Sequence, residues 1–112
     1  RFQTIRIEDD VLFVVERFVQ AFDDQIGVES GRPPASAGSD PLVQFRGTGT
    51  VVLRVPWPPA AMPIQHGEEA HIAPASLLGW TGRLFPLDEP AADTTFREPS
   101  LALRGDGTAI IV

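Results

Sequence analysis

Two stretches of the chain alternate apolar and polar residues on both sides of a shared glycine motif. One is Val43-Gln44-Phe45-Arg46-Gly47-Thr48-Gly49-Thr50-Val51-Val52-Leu53, and the other is Leu101-Ala102-Leu103-Arg104-Gly105-Asp106-Gly107-Thr108-Ala109-Ile110-Ile111. Successive residues of a strand point to opposite faces. A three-residue loop at Gly47-Thr48-Gly49 therefore pairs Arg46 with Thr50, Phe45 with Val51 and Val43 with Leu53, placing Val43, Phe45, Val51 and Leu53 on one face. A two-residue loop would mix the faces. The expectation is a pair of β-hairpins, with Gly47 and Gly49, then Gly105 and Gly107, as structural turn residues. Gly49 and Gly107 fall at the left-handed loop position. A strand follows each Gly-x-Gly, whereas a phosphate cradle needs a helix there.

Upstream, Phe2 to Ile7 alternates as a strand. From Asp9 to Ile26 two patterns compete. Val11, Val15, Phe18, Phe22 and Ile26 stand at helical spacing behind an Asp9-Asp10 cap. Val11 to Val15, Phe18 to Phe22 and Ile26 to Glu29 equally read as three short strands. Periodicity leaves the two close to balanced, and an internal repeat favours the strands. Shifting the chain by 58 residues sets 1–54 on 59–112 without a gap and pairs Pro41, Arg46, Gly47, Gly49 and Thr50 with identical residues. The same shift sets Phe22 on Trp80, Ala21 on Gly79 and Val14 on Ile72. The counterpart of the ambiguous stretch holds Pro74, Gly79 and Gly82, residues that cost a helix about 3 kcal/mol for proline and about 1 for glycine.

Loops rich in Gly, Pro, Ser and Ala are expected at Gly31 to Asp40 and at Asp88 to Asp93, and Pro56-Trp57-Pro58-Pro59 reads as a stiff connector. The expected architecture is one all-β domain of two tandem repeats, 1–54 and 59–112, joined by 55–58. Half a sandwich cannot cover its own apolar face, so the copies are expected to pack on each other as one β-sandwich or short barrel.

Gly67-Glu68-Glu69-Ala70-His71-Ile72 with Leu77-Leu78-Gly79-Trp80, Asp9-Asp10-Val11-Leu12-Phe13-Val14 with Val19-Gln20-Ala21-Phe22-Asp23, and both glycine motifs resemble the altered-inheritance-of-mitochondria protein 24 family, found in bacteria and in fungal mitochondria. The resemblance implies an all-β fold of repeats similar to those of the tryptophan RNA-binding attenuation protein, a compact double-stranded-β-helix-like fold, without established enzymatic activity. Family members are longer and carry more repeats, and the resemblance brings no catalytic residues with it.

Composition narrows the function classes. The 112 residues include no cysteine, which removes disulfides, thiolate catalysis and zinc-thiolate sites. Nine arginines and no lysine stand against a net charge of −6, a poor match to a phosphate backbone, so nucleic-acid binding is not expected. The longest apolar run, Val11 to Val15, is far too short to span a membrane as a helix, so no integral membrane segment is expected. No signal peptide is visible, and the expected location is cytoplasmic.

Candidate chemistry is sparse. His66 and His71, near Glu68 and Glu69, are the weak metal candidates. A cupin-type site wants a His-x-His pair, a Glu and a further His, whereas a spacing of five puts these two on opposite faces of a strand. Asp9-Asp10, Asp23-Asp24 and Glu68-Glu69 are adjacent in sequence and so diverge, unlike the converging pair of a glycosidase. Arg46 and Arg104, equivalent under the repeat, are candidates for binding or for a cross-strand contact with Thr50 and Thr108. Trp57 in the connector suits a surface or subunit contact, and Trp80 suits the core. The preferred expectation is a non-enzymatic interaction or scaffold module, self-associating as a dimer or trimer through exposed strand edges, without cofactor. The alternative is a small-molecule binding protein or cupin-like metalloenzyme using His66 and His71.

Overall fold

A computed structural model describes residues 1–31, 41–87 and 101–112. The expected loops at 31–40 and 88–93 lie outside the described residues, apart from Gly31. The described residues form strands β1 (Phe2–Val15), β2 (Val19–Phe22), β3 (Gly27–Gly31), β4 (Leu42–Arg54), β5 (Ala60–Ile72), β6 (Leu77–Leu87) and β7 (Leu101–Ile111). Two short 3-10 turns, Glu16–Phe18 and Pro74–Ser76, lead into β2 and β6. The stretch Asp9 to Ile26 is thus strand, turn and strand. Pro74 opens the second of these turns, where its missing N–H has no ladder bond to lose.

All seven strands pair antiparallel in a single sheet of order β2-β4-β1-β6-β7-β5, with β3 also pairing β4. The sheet is not closed into a barrel, and the expected sandwich of two separate sheets is replaced by one continuous hydrogen-bonded run. The halves meet side by side, because β1 offers β6 a free flank at Leu12–Val14. Its other flank is taken by β4 along most of its length. No helix among the described residues is long and apolar enough to cross a membrane.

The glycine motifs are not hairpin turns. β4 and β7 run straight through them, and each lies opposite an irregularity in its neighbour. Gly49 pairs with Ile7 and Gly47 with Asp10, so Glu8 and Asp9 form a bulge on β1. Asp9 takes φ 47° there, and its N–H donates to Thr48 Oγ1 at 2.9 Å. In the second half Gly107 pairs with Ile64 and Gly105 with Glu68, and the His66 N–H donates to Asp106 Oδ1 at 2.8 Å. Positive φ falls at Gly47 and Gly105 (118° and 136°), not at the expected Gly49 and Gly107, because the irregularity lies in the opposing strand and no hairpin loop forms. At Gly105 a β-carbon would also lie 2.1 Å from the Arg83 carbonyl oxygen. The expected faces survive the change of turn: on an unbroken strand Val43, Phe45, Val51 and Leu53 still share parity, and all four are buried.

Two apolar clusters result, one for each half, and they interlock. Leu12, Val14, Phe45, Val51 and Leu53 dominate the first, which also takes Leu78 from β6. Trp80, Leu84, Leu101 and Leu103 dominate the second, which takes Val15 and Leu42 from β1 and β4. A full-length aliphatic side chain buried in this way contributes about 1.5–3 kcal/mol, so these exchanges bind the halves more firmly than their few shared backbone bonds.

Candidate functional site

The halves join at a short seam. Leu12 pairs with Thr81, Phe13 with Trp80 and Val14 with Gly79. Phe13 stacks on Trp80 with ring centroids 4.9 Å apart and planes 19° from parallel, and Trp80 is 1% exposed. Gly79 makes the approach possible. A β-carbon there would lie 2.1 Å from the Phe13 carbonyl oxygen and 3.0 Å from the Val14 Cα, both backbone atoms that cannot swing aside.

Beside the seam runs a shallow groove of about 260 Å³, floored by Val11, Phe13, Leu84 and Phe85 and flanked by Arg46 and Arg83. Arg46 stands on β4 between Val11 of β1 and Gly27 of β3. Neither Arg46 nor Arg83 forms an ion pair among the described residues, and the groove presents apolar surface edged with positive charge. A second cleft, about 420 Å³, gathers Arg1, Arg17 and Arg54 around Phe18 and Pro56. The Arg17 guanidinium lies 4.7 Å from the centre of the Phe18 ring.

The sheet ends on two lateral edges. β2 and β3 share one flank of β4, and β5 closes the other end. On β2, Phe22 is 46% exposed and packs against Phe45 with ring centroids 5.1 Å apart. Ala21 beside it is exposed. On β5, Glu69 accepts from Arg104 at 2.8 Å and lies 3.1 Å from His71 Nε2. His71 Nδ1 is buried without a hydrogen-bond partner among the described residues.

The candidates from the sequence separate accordingly. Arg104 contacts Glu69 on the neighbouring strand, and Thr108 lies across from Pro63 and Thr81. Thr50 lies across from Arg6, so the expected contact of each arginine with its own hairpin partner is replaced by contacts between strands. Hairpin partners do not exist here because the hairpins do not. Trp57 is 67% exposed in the connector, and Trp80 is buried. His66 sits at the β5 bulge with φ 59° and His71 further along the strand. Among the described residues no three potential metal ligands converge. The residues that sequence reasoning missed are Gly79, Ala21 and the Phe22 edge. The 58-residue shift already sets Ala21 on Gly79 and Phe22 on Trp80, but their meaning depends on the β1–β6 pairing.

No protein-family model, curated protein or solved structure matches the chain.

Proposed function

We propose that the protein is a non-catalytic interaction module, built from two tandem copies of one unit, that associates with further copies of itself through the open edges of its sheet. The duplication is supported by spacing. β1 and β5 begin at Phe2 and Ala60, the 3-10 turns at Glu16 and Pro74, and β2 and β6 at Val19 and Leu77, each 58 residues apart. Positive φ recurs with the same offset at Asp9 and Gly67 and at Gly47 and Gly105.

One observation carries the functional reading: Phe22 stands exposed on an edge strand where its counterpart Trp80 is buried in the seam. The seam joins β1 of the first unit to β6 of the second, leaving the counterpart of β6, which is β2, and the counterpart of β1, which is β5, at the two ends of the sheet. Free strand edges with apolar side chains invite pairing. The resemblance to the altered-inheritance-of-mitochondria protein 24 family points the same way, toward a scaffold role without catalysis. For the metalloenzyme alternative, neither His66 nor His71 belongs to a group of three potential metal ligands among the described residues.

Size-exclusion chromatography with light scattering, run on metal-analysed protein across a wide concentration range, tests the reading. A mass that climbs above the monomer with concentration, and falls back in Phe22→Ser, is expected. A strict monomer throughout, or one metal per chain with no association, would overturn it.

A further inference from the structure

The internal seam specifies the register of a contact between copies. Moved by 58 residues, the pairs Val14–Gly79, Phe13–Trp80 and Leu12–Thr81 become Ile72–Ala21, His71–Phe22 and Ala70–Asp23. The backbone on each side is prepared for this. β2 carries a register shift between Val19 and Ala21 against β4, and β6 carries the same shift between Leu77 and Gly79 against β7. Ala21 therefore follows the path of Gly79 at the point where Gly79 meets β1. On the opposite edge, Ala70 and His71 are only partly buried, as positions facing an absent neighbour would be.

One atom separates the two situations. At Gly79 a β-carbon would lie 2.1 Å from a carbonyl oxygen and 3.0 Å from a Cα, and Ala21 has that β-carbon. In the seam's geometry its methyl meets the His71 carbonyl of the next copy, holding the strands apart. A side chain directed along the hydrogen-bonding direction of an edge, at a bulge, is a known way of restraining strand addition.

We infer that copies of this chain join head to tail, with Ala21–Asp23 of one against Ala70–Ile72 of the next in the seam's register, and that the Ala21 methyl keeps this contact weaker than the seam. The inference rests on the self-association reading above and adds to it the edges, the register and the controlling residue. Because the two surfaces differ, the contact is heterologous. It extends into open chains unless the rotation closes a ring, and it has no two-fold axis. Stacking of Phe22 on His71 would cover the exposed phenylalanine as Phe13 covers Trp80.

The test uses sedimentation velocity on the full chain. Ala21→Gly is expected to associate at a concentration at least about tenfold below that of wild type, as relief of a close backbone contact should allow. Adding Phe22→Ser to Ala21→Gly should reverse the gain. The chain has no cysteine, which permits a second variant pair that does not depend on relieving the clash. Phe22→Cys mixed with His71→Cys should yield a disulfide between the two different variants in preference to either with itself.

If wild type associates, Ala21→Gly matches it and the cysteines show no preference for the mixed pair, this register is overturned while the self-association reading stands. If wild type and Ala21→Gly both remain monomeric and no mixed disulfide forms, both fail. A wild type that stays monomeric beside an Ala21→Gly that assembles supports the register and overturns self-association of the native chain.

Discussion

Trp80 and Phe22 stand 58 residues apart, on strands that bulge in the same way, and end in opposite surroundings. Trp80 is 1% exposed and stacked on Phe13, whereas Phe22 is 46% exposed at the edge of the sheet. Trp80 has β1 beside it, and Phe22 lies on a strand with no further neighbour in the sheet among the described residues. Gly79 lets β1 come within hydrogen-bonding distance of β6, whereas β2, where Ala21 carries the β-carbon that Gly79 lacks, stands at the end of the sheet. An aromatic ring on a strand supplies apolar area in either place. Whether that area is buried depends on whether a neighbouring strand is present and how closely its backbone can come, and at β2 the proposed control is the Ala21 methyl.

Truncation should break the comparison most visibly. Trp80→Ala leaves a large cavity in the second cluster and should cost about 3–5 kcal/mol in urea unfolding. Phe22→Ala, removing a ring already half in water, should cost roughly 1 kcal/mol or less. Comparable losses at the two positions would mean that Phe22 is as enclosed as Trp80.

Exchange of the small residues comes next. Gly79→Ala drives a β-carbon into two backbone atoms of β1 and should destabilise the fold by about 1–3 kcal/mol. Its reverse, Ala21→Gly, loosens an edge strand and should lower monomer stability by only about 0.5–1 kcal/mol. The two variants change composition in opposite senses, so their unequal effects isolate the neighbouring strand as the cause. Thermal denaturation of both at low concentration would measure this.

The smallest effect is expected at the arginines. Arg104, paired with Glu69 but 59% exposed, should cost no more than about 1 kcal/mol when replaced by alanine. Arg46→Ala, removing a side chain with no ion pair among the described residues, should fall within about 0.5 kcal/mol of wild type. Equal losses would show that the Glu69 contact contributes nothing to the second half.

Much of this arrangement is legible in the sequence. Alternation identified the buried face of β4, the 58-residue offset favoured strands between Asp9 and Ile26, and Trp80 and Trp57 fall where their contexts placed them. The hairpin expectation fails for a definite reason. A three-residue loop and an uninterrupted strand give Val43, Phe45, Val51 and Leu53 the same parity, so alternation cannot tell them apart. What distinguishes them is the bulge at Glu8-Asp9, a feature of the opposing strand. The sandwich was misread because apolar faces show that two halves must cover each other and do not show whether they do so face to face or through a shared edge. The site stayed hidden for the same reason. Ala21 aligned with Gly79 is a small substitution until the Val14–Gly79 pair shows what lies across from it.

The proposed difference between the internal seam and the contact between copies is tested most directly by amide hydrogen exchange followed by mass spectrometry at low and at high protein concentration. Protection at Leu12–Val14 and Gly79–Thr81 should be high and independent of concentration, whereas at Ala21–Asp23 and Ala70–Ile72 it should rise together as concentration increases. Edge protection that stays flat, or that rises at Trp57 while both edges remain open, would contradict the account.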